Sequence, residues 1–465
     1  MMIRDRRLVA LLISSLLVYA VMQYVGIGVI PLRSIIEGGG GGGGDLLVND
    51  PMLKADVAMA VEGSSVYIAW YDSAREAVML RASDDGGSSF RDPILVSSTE
   101  GVGDVRVRGI VARGSYVNVL WSGEVDGQYD IFLSNSNDGA YTFSTMNLSS
   151  NDGDSGYPVM DASGPMVYVA WVDLTYGNSE VVLRVSTDGG STFSDPVNVS
   201  NSPGESEAPV LVAEGSSVYM AWHDNSHGKF AVIFRASHDN GSTFSSPFVL
   251  SSVGADAGFA SMDADGSSVY IVWMGNDSSS SDADSTTTTD DGYNIYMRYS
   301  NDGGRSFTDA MGIGKGRAPI VKADGPLACM VWIGDDALYA SSMHGEYIRD
   351  AMRVAMYEHT SVRSVILDVE GNDVSILILS DGAGGTRGSS VVYVGSRDSG
   401  LTFSMSSKVT DGGAVDDVSM LSKGRGVYIA WSEKVCTNPE CTHVRLSYHF
   451  GKSNDGGHQF IMKGI

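Results

Sequence analysis

From about Asp45 onward, short apolar runs rich in β-branched residues are punctuated by Gly, Asn, Asp and Ser, which is the mark of β-strands. The pattern is clearest in Gly215-Ser-Ser-Val-Tyr-Met-Ala-Trp222, and the chain repeats it. Glycine, six residues, then tryptophan recurs at Gly63/Trp70, Gly114/Trp121, Gly164/Trp171, Gly215/Trp222, Gly266/Trp273, Gly325/Trp332 and Gly424/Trp431. An eighth copy, Gly371 to Ile378, keeps the register and loses the ring. All seven tryptophans of the protein sit in this motif. Recurrence at a fixed interval of about fifty residues means one supersecondary unit written over and over.

The motif reads as a hairpin turn followed by a strand. Glu62-Gly63, Glu214-Gly215, Asp265-Gly266, Asp324-Gly325 and Glu370-Gly371 place the residue that tolerates positive φ at the turn. Val66, Ile68 and Trp70 then share one face, and Tyr67 and Ala69 the other. Both faces are apolar, as expected of a small sheet packed between two others. In the fourth unit the pattern predicts strands at Ala208 to Ala213, Ser217 to Trp222, Phe230 to Ala236 and Phe248 to Ser251. Four-stranded units repeated around a ring make a β-propeller, here all-β with about eight blades. Only Glu346 to Glu358, in the sixth unit, could read as a helix. Leu46-Leu-Val-Asn-Asp50 resembles the fourth strand Ile94-Leu-Val-Ser-Ser98, so Leu46 to Asn49 is expected to close the ring against the final unit.

Between the third and fourth strands a second motif recurs, as in Ser83-Asp-Asp85-Gly-Gly-Ser-Ser-Phe90 and Ser186-Thr-Asp188-Gly-Gly-Ser-Thr-Phe193. Its aspartates are Asp85, Asp138, Asp188, Asp239, Asp302, Asp398 and Asp455; the sixth unit has His344-Gly-Glu-Tyr347 in that place. The aspartate can accept bonds from the turn's own amides, and the phenylalanine can plug the unit's edge. This pattern resembles the Asp box, or BNR repeat, of the sialidase-like β-propeller family, over about Asp45 to the C-terminus. The resemblance implies a structural turn on the face away from any active site, and so architecture more than activity. True members with sialidase activity are expected to carry an arginine triad, its first arginine in a Phe/Tyr-Arg-Ile-Pro motif, with a tyrosine–glutamate pair and an aspartate. No Arg-Ile-Pro occurs here, and Phe90-Arg-Asp-Pro93 belongs to a turn motif. Arg81, Arg184, Arg235 and Arg298 recur once per unit before the turn, which marks them as structural. No catalytic residue is nominated.

The first 37 residues stand apart. Arg4, Arg6 and Arg7 precede an uncharged run from Leu8 to Leu32, long enough to span a bilayer. We read residues 1–37 as a transmembrane signal-anchor, with a cleaved signal peptide as the alternative; both place the repeats outside the cytoplasm. Residues 38–44 are an unbroken polyglycine tether, and residues 45–465 form the propeller. Cys436 and Cys441 bracket a short loop and suit a disulfide there, with a metal site including His443 as the sharper alternative. Cys329 reads as a small buried apolar residue. Sequons stand at Asn147, Asn198, Asn240 and Asn276.

Charge narrows the partners. Asp and Glu number 56 against 31 Lys and Arg, a formal charge of -25, which repels nucleic acid. Many carboxylates fall in the loops opposite the Asp-box turns. Asp72, Asp173, Asp224 and Asp335 follow the tryptophans closely and are the candidate ligand-binding residues. The sharp reading is a ring of hard oxygen ligands for Ca²⁺; the bland one is a solvated acidic surface. His223 to His227 could pair on a metal, or simply form an exposed loop. The expected function is binding of a glycan, a cell-envelope component or a protein partner on that face, with no assigned cofactor. The alternative is a sialidase-superfamily glycoside hydrolase, exo-α-sialidase-like, with a divergent site.

Overall fold

The computed structural model describes residues 57–276, 293–356, 362–381, 388–404, 407–410, 414–436, 444–457 and 459–464. The predicted anchor, the polyglycine tether, Leu46 to Asn49, most of the Asn276 to Asp291 insertion, Cys441 and the Cys436 side chain lie outside those residues. Among the described residues no helix is long and apolar enough to cross a membrane.

Eight antiparallel sheets follow one another along the chain, at residues 57–98, 103–147, 155–198, 206–249, 257–315, 317–356, 362–408 and 415–464. Each is numbered here as a blade. In seven blades four strands pair in sequence order as a simple meander; blade 6 has five strands, the last two sharing one partner. First strands of successive blades lie side by side around the axis, and the first strand of blade 1 meets that of blade 8, which closes the ring.

The alternating pattern explains the packing. Val66, Ile68 and Trp70 pack with Tyr428, Ala430 and Phe450 of blade 8, while Tyr67 and Ala69 pack with Val117 and Trp121 of blade 2. The core is therefore divided into eight clusters, one at each junction between neighbouring blades. Each tryptophan is buried and faces the preceding blade; Ile378 takes that place in blade 7. The eight hairpin glycines hold φ between 57° and 60°, a conformation that strains any residue with a Cβ.

The aspartate turns bind themselves as the motif requires. Asp188 Oδ1 accepts from Ser186 Oγ (2.7 Å) and Thr192 N (2.8 Å), and Ser186 Oγ accepts from Gly190 N (2.8 Å). Each turn also docks on its own blade's hairpin, as in Gly189 N to Pro165 O at 2.8 Å. Blade 6 lacks the aspartate yet keeps that joint, Gly345 N to Pro326 O at 3.1 Å. The turn phenylalanines wedge between blades; Phe90 meets Phe450 edge-on at 5.0 Å and Phe307 meets Phe234 at 4.9 Å. The repeated arginines tie blade to blade: Arg184 Nη1 donates to Leu148 O (2.8 Å) and Arg235 Nη1 to Val199 O (2.6 Å).

The outer strand of blade 8 is Ile461–Gly464, paired with His449 to Lys452, so the last unit holds four strands of its own; Leu46 to Asn49, expected against this unit, lie outside the described residues. One expectation fails: Glu346 to Met356 is not helical, since Tyr347–Ile348 and Met352–Met356 are strands, both paired with Ala337–His344. A hairpin at His344 to Tyr347 replaces the aspartate turn, and the chain then returns to the edge of the same sheet.

Candidate functional site

The ring has two unlike ends. Glycine hairpins and aspartate turns share one, the turn end. The connections between second and third strands, and between blades, share the other, the loop end.

At the loop end most of the predicted carboxylates bond to groups of their own loops. Asp173 is buried and accepts from Asn151 Nδ2 (2.7 Å), Trp171 Nε1 (3.0 Å) and Thr175 N (2.9 Å). Asp224 is buried and accepts from Ser206 Oγ (2.9 Å) and Ser226 N (2.9 Å). Burial pushes the Asp224 carboxyl up, but hydrogen bonds from Ser226, Ser202 and Ser206 more than offset it and hold the group below its ordinary range. Asp72 caps its own turn through Ala74 N (3.0 Å) and pairs with Arg75 (2.5 Å). Asp335 is exposed in the tight turn of blade 6. Other carboxylates behave alike. Asp130 accepts from Asn147 Nδ2 (2.8 Å) and Ser149 Oγ (2.7 Å), and Glu205 from Ser179 N (2.8 Å) and Ser179 Oγ (2.6 Å). These groups stiffen the loops from within. Among the described residues no three His, Cys, Asp or Glu side chains converge on a metal-sized site.

His223 lies in a strand rather than an exposed loop. Its Nε2 accepts from Ala260 N of blade 5 at 3.2 Å, and burial drives the imidazole down to about 4. Asn147 and Asn198 spend their side-chain oxygens on Ser150 N (2.9 Å) and Asn201 N (2.7 Å), whereas Asn240 stays exposed at φ 59° in its turn.

What the loop end does present is an aromatic ring on a fixed support. Tyr176 is 46% exposed, on the loop that Asp173 caps two residues earlier through Thr175. Thr175 in turn sits against Gly153 of the blade 2 to blade 3 connection, where a Cβ would meet its methyl at 2.7 Å. Four successive first strands bend at this end. Tyr157, Ala208, Phe259 and Ala318 hold φ of 53°, 49°, 51° and 48°, each at a break in register. Beside these bends lie Arg106, Glu207 and Arg317, level with one another on blades 2, 4 and 6.

The axial channel was not foreseen as a site. Three residues before each hairpin glycine, the first strands carry Ala60, Val111, Asp161, Val212, Asp263, Lys322, Asp368 and Leu421 in ring order. The three aspartates act as staples. Each reaches the next blade's first strand: Asp161 Oδ2 to Ala213 N (2.9 Å), Asp263 Oδ2 to Ala323 N (2.9 Å), Asp368 Oδ2 to Ser422 N (2.5 Å). One turn nearer the mouth, Glu62 takes Gly114 N (3.2 Å) and Asp324 takes Gly371 N (2.6 Å). First strands have no outer sheet partner, so these carboxylates satisfy amides that would otherwise be bare.

Lys322 stands among the staples, 3.6 Å from Asp263 and under the field of Asp368 and Asp161. It is walled by protein yet keeps 42% of its side-chain surface accessible, because the solvent it meets is confined to the channel. The neighbouring Asp263 raises its pKa first, against burial, so it stays charged. Burial raises Asp368 to about 6 and raises Asp161 as well, in both cases against their hydrogen bonds. At the turn end the channel opens into a cavity of about 440 Å³ between blades 6, 7, 8, 1 and 2, lined by Val61, Val111, Arg113, Asp324, Asp368, Glu370, Leu421, Ser422 and Lys423 among others.

No family model matches the chain, and no curated protein does. Solved structures of similar fold include the polysaccharide lyase Uly1, at 10% identity over 79% of this chain and 96% of that one, with a TM-score of 0.50. A polysaccharide lyase of family PL25, an ulvan lyase, matches at 12% identity over 70% and 88%, with a TM-score of 0.47. The GH93 α-L-arabinofuranosidase of Fusarium graminearum matches at 12% identity over 60% and 88%, with a TM-score of 0.36. At such identities the likeness is one of fold.

Proposed function

We propose that this chain is a membrane-tethered, extracytoplasmic β-propeller whose loop end binds a glycan of the cell envelope. The observation that carries the reading is Tyr176. A half-exposed ring, held on a loop that a buried carboxylate caps, is a preorganised platform for the flat face of a sugar. The carboxylates of Asp173 and Glu180 lie near enough to act on the Tyr176 hydroxyl. The fold likeness to a polysaccharide lyase agrees with a carbohydrate ligand. The tether rests on the arginine-flanked apolar run at residues 1–37, and the kinship with sialidase-like propellers rests on the seven Ser–Asp turns.

A hydrolase reading has one observation in its favour: Arg106, Arg317 and Arg363 all lie on first strands at the loop end. Two of the three are committed elsewhere. Arg106 bonds Asp104 (3.0 Å), and Arg363 bonds Val415 O (2.8 Å) and Asp416 O (3.0 Å). Tyr129 donates to Asp104 (2.9 Å), and burial first, then that carboxylate, raises its pKa, the opposite of what a nucleophile needs. Binding without turnover is therefore the stronger reading. The test is to incubate a chain lacking residues 1–37 with envelope polysaccharides and follow both retention and products. Retention with unchanged ligand mass is expected; release of shortened products would establish the hydrolase instead.

A further inference from the structure

Three complete Asn-x-Ser tripeptides lie within the described residues, and the fold treats them differently. Asn147-Leu-Ser149 and Asn198-Val-Ser200 stand at the ends of the outer strands of blades 2 and 3. Both are consumed by packing. Leu148 and Val199 are buried, and so are Ser149 and Ser200. Asn147 Nδ2 donates to Asp130 Oδ2 (2.8 Å), and its Oδ1 accepts from Ser150 N (2.9 Å). Ser149 Oγ donates to Asp130 Oδ1 (2.7 Å), Ser200 Oγ donates to Glu180 Oε2, and Asn198 Oδ1 accepts from Asn201 N (2.7 Å). These two asparagines recur because they tie a strand end to its blade.

Asn240-Gly-Ser242 is open. It forms the aspartate turn of blade 4, at the turn end of the ring. Asn240 and Ser242 are both exposed, and the residue buried between them is a glycine with no side chain to hide. The backbone alone fixes the turn: Asn240 N donates to Ser216 O (2.9 Å) and Gly241 N to Ser237 Oγ (2.9 Å). The Asn240 side chain makes no hydrogen bond among the described residues. In five of the six other aspartate turns that place belongs to glycine, Gly86, Gly139, Gly189, Gly303 and Gly456, all at positive φ. Asparagine at φ 59° is the residue with a side chain that such a turn tolerates best, so the fold neither needs nor resists its amide.

We propose that Asn240 carries an N-linked glycan and that Asn147 and Asn198 do not, an inference that rests on the extracytoplasmic placement proposed above. The donor is an oligosaccharide activated as a lipid phosphate ester, delivered by a membrane transferase. Nδ2 of Asn240 attacks the anomeric carbon and forms the N–C bond. The C–O bond to phosphate breaks, the lipid phosphate leaves with the electron pair, and one amide proton passes to base. The sugar then stands at the end of the ring opposite Tyr176.

The experiment is mass spectrometry of the full chain purified from its own cells and digested with chymotrypsin, which separates Asn240 from Asn276 at Phe244. An oligosaccharide mass increment is expected on the Asn240 peptide in most copies, with the Asn147 and Asn198 peptides unmodified. Asn240→Gly, the residue of the other turns, and Ser242→Ala, which keeps the asparagine, should each abolish the increment without lowering the melting temperature of the sugar-free chain. An Asn240 peptide found bare makes Asn240 a turn residue only and overturns the proposal. So does sugar on Asn147 or Asn198 as often as on Asn240, or an increment that survives Ser242→Ala. Protease treatment of intact cells, run in parallel, reports the placement separately: a bare Asn240 on a chain cleaved from outside overturns the glycan alone, and on a chain protected until lysis it overturns the placement too.

Discussion

Tyr448 Oη donates a hydrogen bond of 2.7 Å to the backbone oxygen of Tyr71, across 377 residues of chain. Beside it the Tyr448 ring lies 5.2 Å from Trp70, and Val57 N donates to Asp417 Oδ2 at 3.2 Å. The last blade thus meets the first through the same indole wedge that joins every other pair with a tryptophan. The geometry makes the ring a single cooperative object, because breaking one junction frees the inner edges of two sheets.

Trp70→Ala should therefore cost about 3–5 kcal/mol, the usual penalty for emptying a large buried ring. Tyr448→Phe should cost about 1 kcal/mol, the net worth of one hydrogen bond. Denaturant midpoints check both. Truncation before Ile461 should also destabilise, because it removes the outer strand of blade 8 and the Lys463 contact to Gly87 O of blade 1 at 3.4 Å.

The channel staples give stability an unusual pH dependence. Asp368 titrates at about 6 in the fold against an ordinary 3.8, so the folded chain holds a proton that the unfolded chain releases between those values. Its contribution is fullest below about 3.8 and is lost as pH rises through 6. Asp161 shifts the same way. Melting temperature should fall as pH rises from 4 to 6, and Asp368→Asn should flatten that slope while keeping the bond to Ser422 N.

The turn aspartates act in the opposite sense and a lower window. Hydrogen bonds from Ser89, Thr243 and Ser306 hold Asp85, Asp239 and Asp302 at about 2. Their contribution is complete above about 3.8 and is lost as pH falls through 2. Melting curves should thus peak near pH 4. Asp239→Ala should lower stability at pH 7 and reduce its loss between pH 4 and 2.

Cys329 lies wholly inside the junction of blades 6 and 7, and burial pushes its thiol up to about 12. It should resist alkylation at pH 8 until denaturant unfolds the ring. Mass spectrometry of the labelled peptide before and after denaturation reads this directly.

Much of the fold was legible because it repeats. One glycine turn and one indole, written eight and seven times, fix turn, strand and face together, and Val66, Ile68 and Trp70 pack as their alternation requires. The C-terminal end was less legible, because Ile461 to Gly464 is a short strand and only its pairing with His449 to Lys452 shows it as the outer strand of blade 8. Glu346 to Met356 misled because strands carrying charge and methionine look amphipathic at either period. The site was least legible. Sequence puts Asp173 on the loop end but cannot show that Asn151, Trp171 and Thr175 consume its oxygens. The channel is built from one residue per blade, so Asp161, Asp263, Lys322 and Asp368 become neighbours only when the ring closes. Aligning the repeats three residues before each glycine would have exposed them.

The proposed glycan binding at the loop end is tested most directly at Tyr176. Titration of the retained envelope glycan into wild type, Tyr176→Ala and Tyr176→Trp should show a loss of at least tenfold for alanine, with affinity kept or raised for tryptophan and melting temperatures unchanged. Equal affinity across all three proteins would contradict it.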